Sequence, residues 1–423
     1  MLYAMVRPIA TIGLKNYFKR IDLANVDRIP KDAAVILAAN HPTTFIEPCI
    51  LACFLDKPIN FLARGDFFQK PFFAKLLDGV HITPVYRMRD GGYEKLKNNF
   101  KSFEKSFQTL KAHKPLMILA EGRCVHEKRL RPIRKGTARI ALGALENTDL
   151  KEVYIVPVGV NYTYAERMRS RVMINFGEPI KASDYMEAFR ESPGLAINKL
   201  TTDLRNRLAN EIIIIERQED EPLVENLLKL QRSEQYQPNN HSIGKDEKQL
   251  KAEQKIADRI NQMPETERKE LKLLAYDYFS RLEMMRINDE AFSGKYNPSR
   301  KKTSKVLLGL FPAFFLLLWH LPPFMLTQWL AGTVIKTVEF SSPVRWGSSL
   351  AIYLIYCILW FVAAVIFSWW LLVICLVGML ALPNLISYYE TTKEWLLAWR
   401  AKRQTEHEVA YLRKLRARLI EWL

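Results

Sequence analysis

The sequence predicts an α/β domain followed by a helical region and a membrane segment. Three observations carry that prediction. Between residue 21 and about 220, short β-rich runs alternate with helical stretches, the pattern of an α/β domain. From about 221 to 300, Glu, Lys, Gln and Leu dominate and β-branched runs disappear. Beyond Val306 come two long apolar runs, and the second, Ser348 to Ile386, holds no charged residue. A chain of 423 residues is also too long for one ordinary core.

Taken in order, residues 1–20 have apolar positions at helical spacing, but Arg7 and Pro8 interrupt what would be the apolar core of a cleavable signal. Two readings stand. One is an amphipathic helix on a bilayer surface, with Lys15, Lys19 and Arg20 toward anionic headgroups; the other is an ordinary helix packed on the domain. Within 21–220 the expected strands are Ala34 to Ala39, Ile59 to Leu62, Leu116 to Leu119, Val153 to Val160 and Val172 to Phe176. Helices are expected over Gly92 to Ala112, with Leu96, Phe100, Phe103 and Phe107 on one face, and over Gly136 to Leu145. Residues 221–300 read as a helix, a mobile polar linker within Glu234 to Glu247 that contains Pro238, Asn239, Asn240 and Gly244, and further helices from Lys248 to Ser293. No chemistry attaches to this region.

The membrane segment covers 304–387. Its first run, Val306 to Leu321, is near the lower limit for a crossing and ends at Pro322-Pro323, so 306–330 is expected to be re-entrant or broken. The second run is long enough for two spans, about 348–367 and 369–386, turning near Ser368-Trp369-Trp370. Trp346, Trp360, Trp369, Trp370, Tyr388 and Tyr389 suit the membrane interface. Residues 388–423 form a basic tail (Lys393, Arg400, Lys402 and Arg403 among others), which the positive-inside rule places in the cytoplasm together with the basic first domain. Both ends on one side require an even number of crossings. Three full crossings would break the rule at one end.

The net charge of +17 suits nucleic acid, an anionic membrane or phosphorylated substrates. No recognition helix, zinc finger or RNP aromatic pair is present, and the apolar runs favour the membrane, so no nucleic-acid partner is expected. Five cysteines, an odd number without metal-ligand spacing, read as reduced packing residues and no metal is expected.

Four blocks on the α/β region carry the chemistry. In Asn40-His41-Pro42-Thr43-Thr44-Phe45-Ile46-Glu47-Pro48, a histidine at a strand end is followed by a carboxylate that could hold one ring nitrogen and leave the other to accept a proton; a purely structural His is the alternative. Phe61-Leu62-Ala63-Arg64-Gly65-Asp66-Phe67-Phe68, continued by Pro71-Phe72-Phe73 and Ile82-Thr83-Pro84-Val85-Tyr86-Arg87, places an arginine just past a strand. That arginine suits a phosphate or, equally, an ion pair with Asp66. Leu119-Ala120-Glu121-Gly122-Arg123 opens a stretch with Arg123, Lys128, Arg129, Arg131, Arg134, Lys135 and Arg139 against one acid, Glu127. Flanked by Gly122 and Gly136, this is a cradle for phosphate or a solvated basic loop. The fourth block, Ile155-Val156-Pro157-Val158-Gly159-Val160, reads by itself as a buried strand.

In this order and rough spacing, the four blocks resemble the glycerol-3-phosphate and 1-acylglycerol-3-phosphate (lysophosphatidate) O-acyltransferase family over about residues 20 to 220. The resemblance implies a mixed central sheet flanked by helices. It also implies transfer of a fatty acyl group from acyl-CoA or acyl carrier protein, as co-substrate and with no other cofactor, to a hydroxyl of glycerol phosphate or a lysophospholipid. In its terms His41 is the general base, Glu47 its orienting acid, Arg64 and Arg123 phosphate binders, Glu121 and Gly122 the substrate-site floor, and Pro157 part of the acyl-side wall. The chain departs from the family pattern twice. Ile46 stands where the commonest pattern has aspartate, so the acid moves one place to Glu47. Cys124 stands where the third block has its arginine, so the phosphate contact falls to Arg123 or to Lys128 through Lys135. The apolar C-terminal region, with Leu321-Pro322-Pro323-Phe324, is similar to that of a membrane-bound branch of the family. The alternative function is a non-catalytic lipid-binding or scaffold protein on the same fold.

Overall fold

A computed structural model describes residues 2–86, 98–236 and 242–423. Arg87, residues 92–97 of the expected helix, and Pro238, Asn239 and Asn240 of the expected linker lie outside the described residues. The chain divides into two compact units. Met1–Ile213, His241–Leu250 and Ile335–Trp346 form the first; Ile214–Asn240, Lys251–Val334 and Gly347–Leu423 form the second.

The first unit is a mixed sheet flanked by helices. Its strands are β1 (Arg20–Ala24), β2 (Ala34–Ala39), β3 (Asn60–Arg64), β4 (Ile82–Val85), β5 (Leu116–Leu119), β6 (Val153–Tyr162), β7 (Arg171–Phe176), β8 (Ile180–Lys181) and β9 (Ser242–Gly244). The order is β4-β3-β5-β2-β6-β7-β1-β9, with β8 beside β6. Pairing is parallel from β4 through β6, antiparallel between β6 and β7, and parallel again at β1 and β9. β2 is buried along its whole length, as a central parallel strand covered on both faces must be. Its helices are α1 (Leu2–Tyr17), α2 (Ile46–Phe54), α3 (Pro71–Gly79), α4 (Asn98–Lys111), α5 (Gly136–Asn147), α6 (Met186–Glu191) and α7 (Pro193–Ala209). α5 and α7 supply Ile140, Leu142, Leu200 and Leu204 to a core built on Ile36, Ile118 and Ile155.

Two sequence expectations change here. Arg20 does not extend the N-terminal helix toward headgroups. It begins β1, and its Nε donates to the buried Asp22 carboxylate at 2.7 Å, because that charge needs a partner inside the domain. The end of the expected polar linker is also ordered, since Ser242–Gly244 adds an edge strand beside β1. Within α1, Arg7 donates to Leu55 O at 2.6 Å and to Cys53 O, serving carbonyls at the C-terminal end of α2.

The second unit is helical among its described residues: α8 (Glu221–Glu234), α9 (Lys248–Gln262), α10 (Glu265–Met284), α11 (Asp289–Phe292), α12 (Arg300–Val334), α13 (Ser341–Ile366, whose first turns belong to the first unit), α14 (Trp370–Ala401) and α15 (Glu406–Ile420). Arg232 and Glu253 form a two-bonded pair at 2.8 and 2.7 Å that ties α8 to α9. Among the described residues, three helices are long and apolar enough to cross a membrane: Arg300–Val334, Val338–Ile366 and Trp370–Ala401. The break expected at Pro322-Pro323 does not occur; α12 runs through it as one helix. Proline removes the N–H that would bond the carbonyl four residues back. For Pro323 that carbonyl is Trp319 O, and the Tyr356 hydroxyl donates to it at 3.0 Å instead. The expected turn near Ser368 falls between α13 and α14.

Candidate active site

β3, β5 and β2 are parallel neighbours, so their carboxyl ends open on one edge of the sheet, the edge where α/β sheets bind ligands. β2 delivers Asn40 and His41 there, β5 delivers Glu121 and Gly122, and β3 ends at Arg64. Backbone bonds join the first and third blocks. Ala120 N–H donates to Ala39 O at 2.8 Å and Val125 N–H to His41 O at 3.2 Å. His41 N–H in turn donates to Glu121 Oε1 at 3.3 Å. Asn40 ties this junction to β6: its Nδ2 donates to Val160 O at 3.0 Å and its Oδ1 accepts from Val160 N–H at 2.7 Å.

His41 is buried, with Nδ1 4.0 Å from Glu47 Oε2. That separation is electrostatic contact, longer than a hydrogen bond. α2 begins at Ile46, whose side chain enters the core, while Glu47 in the first turn faces back toward His41 and accepts from Thr43 N–H at 2.7 Å. The acid beside His41 is therefore Glu47. Complete burial pushes its carboxyl up to about 8, against the opposing hydrogen bonds from its own and the Thr43 backbone. Glu121 rises to about 7, again through burial, opposed by the His41 N–H and by Arg131.

Gly122 has φ 69°, and a side chain there would put its Cβ 3.1 Å from Arg134 Cγ, so the turn out of β5 needs glycine. The same loop closes through Arg134 N–H to Ala120 O at 2.8 Å, and it presents Arg123 and Lys135 to solvent. Arg64 is exposed and makes the ion pair with Asp66, Nε to Oδ1 at 3.1 Å, while its guanidinium lies 5.6 Å from the Phe67 ring. An exposed pair of this kind contributes roughly 0–1 kcal/mol. The Cys124 thiol is pushed up mainly by burial, and it also feels the charges of Glu47 and Arg64, so the first three blocks converge around it. Pro157 is buried inside β6 in register with Ala38, and its carbonyl accepts from Gly177 N–H at 2.8 Å.

Sequence reasoning passed over Asn40, Thr43 and Tyr162. The Tyr162 hydroxyl is buried close enough to Glu47 that desolvation and that charge hold its proton on far above the ordinary range. Asn40 was within reach of inspection, as an amide directly after an all-apolar strand. Tyr162 carries no local signal, because only the pairing of β6 brings it to this edge.

A histidine thus lies beside a buried acid at the open edge of an α/β sheet, and a basic loop begins at the same edge. Residues 20–161, about a third of the chain, match the acyltransferase family model. It is similar to glycerol-3-phosphate O-acyltransferase 2 of Saccharomyces cerevisiae, 26% identical over 198 residues, which are 47% of this chain and 22% of that protein. It is also similar to glycerol-3-phosphate O-acyltransferase 1 of the same yeast, 31% identical over 91 residues, 22% of this chain and 12% of that protein. The chain thus spans about a fifth or less of the length of these relatives. Among solved structures, the 1-acyl-sn-glycerophosphate (LPA) acyltransferase PlsC of Thermotoga maritima superposes with a TM-score of 0.33 at 16% identity, over 48% of this chain and 80% of that one.

Proposed function

We propose that the protein transfers a fatty acyl group from acyl-CoA or acyl carrier protein to a hydroxyl of glycerol 3-phosphate or lysophosphatidate, as a step of phospholipid biosynthesis. The observation that carries this reading is the buried His41–Glu47 pair, 4.0 Å apart at the open edge of the sheet. His41 removes the acceptor's hydroxyl proton as the oxygen attacks the thioester carbonyl. The tetrahedral intermediate expels the carrier's thiolate, which takes that proton from the imidazolium, leaving an ester and a free thiol. Glu47 supports the imidazolium in its ionised form, which the neighbouring positive charge favours. Arg123 and Lys135, on an exposed basic loop that begins at the same edge, hold the acceptor's phosphate, joined by Arg64 when phosphate displaces Asp66. Glu121 acts from beneath, on the His41 backbone. The two substrates gain most from being aligned together.

The same reading makes this a multi-pass membrane protein with its acyltransferase domain on the cytoplasmic side. α1 supports membrane contact, exposing Met5, Val6, Ile9 and Ile12 while Ala10, Leu14 and Tyr17 are buried. Ile335–Trp346, which joins α12 to α13 and includes the first turns of α13, belongs to the acyltransferase unit, and residues 251–299 contain no apolar run of spanning length. α13 and α14 make two crossings, and α12, continuous through its prolines, is a third apolar helix of spanning length.

The alternative, a non-catalytic lipid-binding protein, has the length of the His41–Glu47 contact in its favour. Acyl transfer by detergent-solubilised protein from labelled long-chain acyl-CoA or acyl carrier protein, with glycerol 3-phosphate or lysophosphatidate as acceptor, separates the two. Transfer that disappears in folded His41→Ala supports the enzyme. A wild type inert with every donor and acceptor supports the alternative.

A further inference from the structure

We infer that Ile335–Trp346, the segment that joins α12 to α13 and includes the first turns of α13, forms the acyl-donor wall of the site. In this arrangement Trp346 and Phe45 bound the acyl chain and Glu339 positions the loop that supports His41. The inference rests on the acyltransferase reading above and names where its donor lies. This segment is far from His41 in sequence, yet it belongs to the same compact unit.

Its attachment is specific. The Ser342 hydroxyl donates to Ala165 O, and Arg345 Nη1 donates to Glu166 O at 2.9 Å. Ser341, Ser342 and Trp346 are buried. The two ends of the segment touch the two flanks of the site. At one end, Glu339 Oε1 accepts from His126 N–H at 3.1 Å, and the preceding residue, Val125, donates its N–H to His41 O at 3.2 Å. Burial alone would raise the Glu339 carboxyl, but bonds from Thr337, its own backbone and His126 outweigh it and hold the group below its ordinary range. An ionised acceptor thus grips the loop one residue away from the bond to His41. At the other end, the Trp346 ring lies 6.4 Å from that of Phe45 at 52°, and Phe45 immediately precedes α2, the helix that carries Glu47.

The chemistry of this end suits an acyl chain rather than a phosphate. Phe45 keeps 39% of its surface exposed beside a buried indole, an apolar face directly before α2. The Trp346 Nε1–H has no acceptor among the described residues, although a buried indole N–H ordinarily finds one. A thioester carbonyl would supply it. Trp346 also lies in the first turns of α13, which continues as an apolar helix long enough to cross a bilayer.

The test compares kcat/KM for lauroyl-, palmitoyl- and stearoyl-CoA in the full-length detergent-solubilised protein and its variants. Trp346→Ala is expected to change the long-to-short donor ratio by about tenfold with the acceptor's KM unchanged. Phe45→Leu, a milder change, is expected to move the ratio in the same direction. Glu339→Ala is expected to lower kcat about tenfold without moving the ratio, and Glu339→Gln, whose amide oxygen still accepts from His126, to recover most of it. An active wild type whose donor ratio is unmoved in both Trp346→Ala and Phe45→Leu overturns the inference alone, and Phe45→Leu decides if Trp346→Ala does not fold. A wild type that transfers from no donor removes the acyltransferase reading, and this inference with it.

Discussion

Replacing Glu47 by glutamine keeps the shape of the side chain and an oxygen for the Thr43 N–H, and removes only the ability to ionise. Burial holds the wild-type carboxyl at about 8 instead of its ordinary 4.5, so across neutral pH the folded protein keeps a proton that the unfolded chain has released. The sign follows. The stability associated with this group is complete below about 4.5 and is lost as pH rises through about 8. Relative to a neutral isostere, the ionisable group costs roughly 1 kcal/mol at pH 5 and roughly 4 kcal/mol at pH 8. Glu47→Gln should therefore melt higher than wild type, by a margin several-fold larger at pH 8 than at pH 5. Its acyl transfer should fall by about a hundredfold or more, because the imidazolium formed at His41 loses its counter-charge. Thermal unfolding in detergent at the two pH values, paired with initial rates, measures both. An equal melting shift at both pH values would refute the argument that burial keeps this acid protonated, and undiminished transfer would refute its partnership with His41.

Three further outcomes are expected. Asn40→Leu leaves the Val160 N–H and C=O without their side-chain partners inside the sheet, and should cost about 2–4 kcal/mol in chemical denaturation. Gly122→Ala forces φ 69° on a residue with a side chain and presses Cβ against Arg134; a loss of roughly 1–2 kcal/mol is expected, with a raised acceptor KM. Arg123→Ala combined with Lys135→Ala should raise the KM for the phosphate-bearing acceptor about tenfold or more while leaving the acyl donor's KM unchanged, and steady-state kinetics with each substrate varied in turn will show whether it does.

Much of the site was legible because its parts are local. A fully apolar run that ends in Asn40-His41, and another that ends in Ala120-Glu121-Gly122, already place polar groups at strand ends. The apolar runs of the C-terminal half likewise announce their helices, since length and hydropathy are properties of a continuous stretch. Which side chain of this turn lies beside His41 was harder to read. Ile46 and Glu47 compete for one position, and the answer depends on α2 starting at Ile46, which sends that side chain into the core and turns Glu47 back.

Continuity of α12 through Pro322-Pro323 was not legible at all, because the carbonyl that proline frees is met by Tyr356 from another helix. The same holds for Asn40 with Val160 and for Glu339 with His126. By itself the sequence determined what each stretch could become: a strand, an amphipathic or apolar helix, a glycine turn, a base with an acid nearby. Only the tertiary structure decided which strand ends share an edge and which distant segment joins the same unit. Periodicity and composition act over a few neighbouring residues, whereas those choices are made by hydrogen bonds and packing between segments far apart in the chain.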